Sequence, residues 1–203
     1  MKKLTKTKKI VIASISAGTA VLLIVAILLI ALSNAKSPLE KFASKIEEKQ
    51  NYRMDVTLSG IPLLGAVTFA YEVDGNIQHI PDGAFVNESY FEIVEDAQYQ
   101  YSKDADGKWV KEKSDEDLFT SITTSDVFKE IINPDNYEPV KGEKNVYQQK
   151  EDVTFDLCKN VVIYLEKDSC TITMIAYSNG MALETVIVIS DIGKVDITLP
   201  AVD

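Results

Sequence analysis

The chain has 203 residues, 46% of them hydrophobic, with 31 acidic side chains, 21 basic ones, one histidine and two cysteines. All the acids lie after residue 35, where only sixteen basic residues fall, so this part carries a formal charge of −15. That balance argues against nucleic acid as a partner, whose phosphates need a basic face, and against electrostatic docking on anionic lipid.

The first readable element is Ile10–Leu32, 23 residues without a charge, preceded by Lys2, Lys3, Lys6, Lys8 and Lys9. As a helix it would be about 35 Å long, enough to cross a hydrocarbon core of about 30 Å. Fourteen of its residues are Leu, Ile or Val, and the lysines keep the N-terminus cytoplasmic by the positive-inside rule. The expected organisation is a basic stub at 1–9, a transmembrane helix at 10–32, a linker at 33–37 and an extracytoplasmic domain at 38–203. The same segment also fits a signal peptide cleaved after Ala35, since Ser33-Asn34-Ala35 puts small residues at −3 and −1. The protein is then either a single-pass protein of the cell membrane or a secreted one.

Ser37-Pro38-Leu39-Glu40 reads as a capped helix start, followed by Leu39, Phe42, Ala43 and Ile46 on one face. This predicts a helix over 38–50. Alternation then takes over: Tyr52 to Leu58, Val67 to Val73, Ile77–Ile80, 87–94, 97–102 and 108–113 all read as strands. The loop Gly60-Ile61-Pro62-Leu63-Leu64-Gly65 is apolar where loops are normally polar. A second helix is expected within 115–136, capped near Ser125, with Val127, Phe128, Ile131 and Ile132 on one side. Strands follow at 137–140, 146–155, 161–166, 169–177, 182–189 and 195–199. Pairing Val161 with Met174, Ile163 with Ile172 and Leu165 with Cys170 gives one wholly apolar face. That register sets Cys158 opposite Tyr177, about 23 Å from Cys170, too far for a disulfide. The fold class is therefore α+β: an open, curved antiparallel half-barrel of about ten strands on one or two helices, after one transmembrane helix.

The order of these elements, with Asp106-Gly107-Lys108-Trp109 in the middle of the meander and Ile192–Pro200 (IGKVDITLP) at its end, resembles envelope proteins of the LolA/LppX superfamily. The resemblance covers roughly residues 36–200. It implies a curved sheet over helices whose hollow carries lipids or lipidated proteins. The sequence lacks the lipobox cysteine of many relatives.

Catalytic equipment is hard to find. His79 reads as a strand-end surface residue with no nucleophile motif beside it. One histidine and two distant cysteines cannot build a zinc site. Asp104-x-Asp106-Gly107 is a turn, since Lys113 stands where a calcium loop needs a bidentate Glu. The carboxylates Glu112, Asp115, Glu116 and Asp117 belong to a generally acidic surface. The chain reads as non-enzymatic and without a cofactor. It is expected to bind a lipid or other apolar ligand through Met54, Ile61, Leu63, Leu64, Phe69, Phe91, Trp109 and Met174, with an ectodomain that binds another envelope protein as the alternative.

Overall fold

The computed structural model describes residues 36–84, 86–95, 97–114, 126–178 and 180–202. The apolar run 10–32, the cleavage site after Ala35, the cap at Ser125 and the carboxylates Asp115, Glu116 and Asp117 lie outside them. Among the described residues no helix is long and apolar enough to cross a membrane. From Pro38 onward the chain forms one compact unit.

Helix α1 (Pro38–Lys49) comes first. Six strands follow: β1 (Asn51–Ile61), β2 (Gly65–Asp74), β3 (Ile77–Ile80), β4 (Ser89–Val94), β5 (Ala97–Lys103) and β6 (Trp109–Lys113). A short helix α2 (Asp126–Ile131) and a 3-10 turn (Pro134–Asn136) lead to β7 (Tyr137–Pro139), β8 (Val146–Gln149), β9 (Cys158–Leu165), β10 (Cys170–Ser178) and β11 (Met181–Ser190). All pairings are antiparallel, in one open sheet ordered β6-β5-β4-β3-β2-β1-β11-β10-β9-β8-β7.

This order follows from two meanders joined at one seam. The chain starts in the middle, walks outward to β6, and re-enters at the opposite edge with β7. It then walks back until β11 lies against β1. Every other neighbour is consecutive, so β1–β11 is the only long-range pairing that the sheet needs.

The period of two divides the sheet into two chemically distinct faces. On the inner face one row runs Val56, Ile187, Ile172, Ile163 and Tyr147 across β1, β11, β10, β9 and β8. Ile163, Ile172 and Ile187 of this row are buried, as are Met54 and Ile189 in the row beside it. At about 1.5–3 kcal/mol per buried side chain, these rows are the main source of stability. Helix α1 adds Leu39, Ala43 and Ile46 at i, i+4 and i+7. Helix α2 adds Phe128, whose ring stacks on Tyr52 at 6.3 Å. Both helices thus cover the inner face.

The structure departs from the sequence reading in three places. The strand expected over 146–155 ends at Gln149, because Lys150-Glu151-Asp152 turns the chain away and Phe155 folds into the core. The expected strand over 195–199 does not form: β1 already has β2 on one side and β11 on the other, so it offers no free edge. Instead the Asn51 side chain acts as a one-residue strand. Its Oδ1 accepts from the Val195 N–H at 2.9 Å and its Nδ2 donates to the Val195 carbonyl at 2.6 Å.

The third departure is a bulge. The β9–β10 register holds from Leu165–Cys170 to Val162–Thr173, then slips by one residue at Asn160 and Val161. Asn160 takes up the slack at φ 56°, a left-handed conformation that asparagine tolerates. Cys158 therefore lies opposite Ala176 rather than Tyr177, which turns it from the outer face to the inner one. It is buried there, as is Cys170, and both thiols are free.

Candidate functional site

The eight residues expected to hold a ligand do not converge. Met54, Phe91 and Met174 are buried, and Met54 and Met174 belong to the main apolar cluster. Phe69 is half-buried opposite Val56. Trp109 pairs with Lys103 and packs edge-on against Tyr90. The registers put Tyr90 and Trp109 on the outer face, away from Met54 and the helices. Ile61, Leu63 and Leu64 form the tip of the β1–β2 hairpin.

An apolar cavity opens elsewhere on the inner face. It lies between the end of α1, the helix α2, the start of β1 and the end of β2, with a volume of about 270 Å³. Ile46, Tyr52, Val73, Phe128 and Ile132 form its wall, and Glu47, Gln50 and Lys129 stand at its polar edge. None of the eight expected residues lines it. Tyr52 sits deep enough that burial pushes its phenol up to about 12. The volume is just below the range of about 300–1,000 Å³ usual for small-molecule pockets, so it suits one chain or one ring rather than a whole lipid. The wall residues could not be told from core by sequence, because Ile, Val and Phe at inward positions serve both uses.

The β1–β2 tip is a second feature. Leu63 is fully exposed and sits at φ 71°, and Leu64 is 53% exposed. A left-handed leucine costs about 1–2 kcal/mol, and here no burial offsets that cost. Pairing of Ser59 with Glu184 brings the β10–β11 turn alongside this tip. Tyr177, Met181 and Leu157 are there, each 40–53% exposed, with the Tyr177 N–H donating to the Leu157 carbonyl. The five exposed apolar side chains thus gather at one end of the sheet, as an apolar rim shared between its two faces. Of these, sequence reasoning found only Leu63 and Leu64. The available signal was charge: residues 56–71 and 169–183 contain no charged side chain, in a chain where 26% are charged.

The outer face of the first meander is polar and aromatic. One row runs Arg53, Glu72, His79, Tyr90, Tyr101 and Lys111 across six strands. His79 is therefore not a strand-end surface residue. Its side chain is 17% exposed and both ring nitrogens face carboxylates. Among the described residues no three His, Cys, Asp or Glu side chains come together to hold a metal ion. The free thiols are poor nucleophiles where they stand: burial raises Cys158 to about 11 and Cys170 to about 12.

No known family model matches the chain, and no curated protein is significantly similar to it.

Proposed function

We propose that the chain is a non-enzymatic binding domain, tethered outside the cell membrane by residues 10–32, that takes an apolar group into the hollow of a curved half-barrel. The open apolar cavity between α1, α2 and β1–β2 is the observation that carries this reading. The order of elements, helix first and then a single open antiparallel sheet, supports a kinship with the LolA/LppX superfamily. The lysines ahead of an uncharged 23-residue run support the tether and its orientation. Buried, alkaline-shifted thiols argue against a cysteine nucleophile.

The test is direct binding. A delipidated domain should take up a fluorescent fatty acid, and Val73→Trp or Ile132→Trp, which fills the cavity, should weaken uptake at least tenfold. Equal uptake by wild type and both filled variants would refute the site.

A second reading is favoured by the apolar rim: an ectodomain that binds another envelope protein. Exposed apolar patches commonly mark interaction surfaces. Leu63→Asp with Leu64→Asp should not lower stability, because neither side chain is packed and aspartate tolerates the left-handed backbone at residue 63 better than leucine. The same pair should abolish a crosslinked partner in intact cells. A crosslink that survives both substitutions would remove the rim from the account.

A further inference from the structure

His79 is the only histidine in the chain, and it sits between two carboxylates, one on β2 and one in the segment that leads into β4. Its Nδ1 is 2.8 Å from Glu72 Oε2 on β2. Its Nε2 is 3.5 Å from Glu88 Oε1, just ahead of β4. That nitrogen is shut off from solvent and has no hydrogen-bond partner within ordinary range. Carboxylates only accept, while a neutral imidazole has one N–H to give. The neutral ring can therefore serve Glu72 or Glu88, and whichever nitrogen is left points a lone pair at a negative group. The imidazolium has an N–H for each.

Two further observations favour the cation. The His79 ring lies flat on Tyr90, with centroids 4.3 Å apart and planes 14° from parallel, a geometry in which a positive ring gains from the π face. The surrounding charges also balance only with it. From β1 come Arg53 and Asp55, with Arg53 bonded to Glu72 at 3.1 Å. From β5 comes Lys103, which reaches Glu88 at 2.9 Å and lies over the Trp109 ring of β6. Lys111 of β6 pairs with Glu92 of β4, and the Tyr101 hydroxyl of β5 donates to the same carboxylate. Apart from that closed Glu92 group, the cluster holds two fixed cations, Arg53 and Lys103, and three carboxylates, Asp55, Glu72 and Glu88. A charged His79 completes it. The hydrogen bond from Lys103, with that from Tyr90, keeps Glu88 below the ordinary carboxylate range, so Glu88 stays negative when the ring loses its proton.

We propose that His79 is a proton-operated strut: protonated, it ties β2 and β4 together across β3, and on deprotonation it releases one of the two carboxylates. Its contribution is present while the ring carries both protons and is lost when it gives one up. The device regulates how tightly the β2–β4 part of the first meander is held, on the face away from the helices.

Hydrogen exchange of the full chain, corrected for intrinsic rates, tests this at about pH 5.5 and about pH 8.5. Amides of Ile77–Ile80 and Ser89–Val94 should be about tenfold better protected at the lower pH, the scale of one charge-assisted hydrogen bond. His79→Gln should abolish that difference. Glu88→Gln should flatten it too, since an amide N–H can satisfy the neutral ring. Equal protection of the wild type at both pH values would overturn the strut, as would a pH difference that persists in either variant.

Discussion

The domain is expected to unfold cooperatively in alkali, between about pH 9 and pH 12. Four buried acids of the inner face have their ionised forms disfavoured by folding. Burial raises Cys158 to about 11, and Cys170 and Tyr52 to about 12. Burial pushes Tyr137 higher still, and negative charge on Cys158 or Cys170 would raise it further. The sign follows from linkage. Each group ionises more easily in the unfolded chain, at about 8.5 for a thiol and about 10 for a phenol. Stability is therefore undiminished below those values and falls as pH climbs toward the folded ones. Each unit of separation is worth about 1.4 kcal/mol, so together they rival a whole domain stability of about 5–15 kcal/mol. Tyrosinate absorbance followed alongside near-ultraviolet circular dichroism checks this. Tyr52 and Tyr137 should ionise only as the dichroism collapses. A single smooth tyrosine titration with the dichroism intact beyond pH 12 would contradict it.

Asn51→Leu should cost about 2–4 kcal/mol, the largest loss expected from a half-buried polar side chain in this domain. Three hydrogen bonds go at once: the two to Val195 and a third, from Nδ2 to Asp74 Oδ1 at 2.8 Å. The terminal segment has no sheet edge to fall back on, and its remaining anchor nearby is the Gly193 N–H bonded to the Asn51 carbonyl at 2.7 Å. The midpoint of thermal unfolding should drop by roughly 5–10 °C, and the Val195 amide should exchange freely. An unchanged midpoint would mean that the tail is held by Ile197 and its apolar neighbours instead.

The same two elements explain how far the sequence could be read. Helix α1 and the strands of both meanders were legible because each carries a strict period, 3.6 or 2, over enough residues to outvote local accidents. Val195–Leu199 carries the same period of two and yet forms no strand. Alternation reports that a segment is half-buried, not that a partner is free, and β1 was already paired on both sides. The bulge at Asn160 was hidden for a related reason. A straight β9–β10 register satisfies every pair from Leu165 to Val162, and only the need to turn Cys158 inward reveals the extra residue. The cavity was illegible because Val73, Phe128 and Ile132 look like core in composition and spacing. The apolar rim was partly legible, since Leu63 and Leu64 announce themselves in a loop. Met181 and Tyr177 join them only once β11 is known to lie against β1. His79 was misread because its partners, Glu72 and Glu88, are seven and nine residues away and meet it through strand pairing alone.

The most direct test of the account is photolabelling of intact cells with a fatty acid that carries a photoreactive group on its chain, followed by peptide mapping. The account predicts adducts at Ile46, Tyr52, Phe128 and Ile132, lost in Val73→Trp. Adducts confined to residues 10–32, or to Leu63 and Leu64 at the hairpin tip, would contradict it.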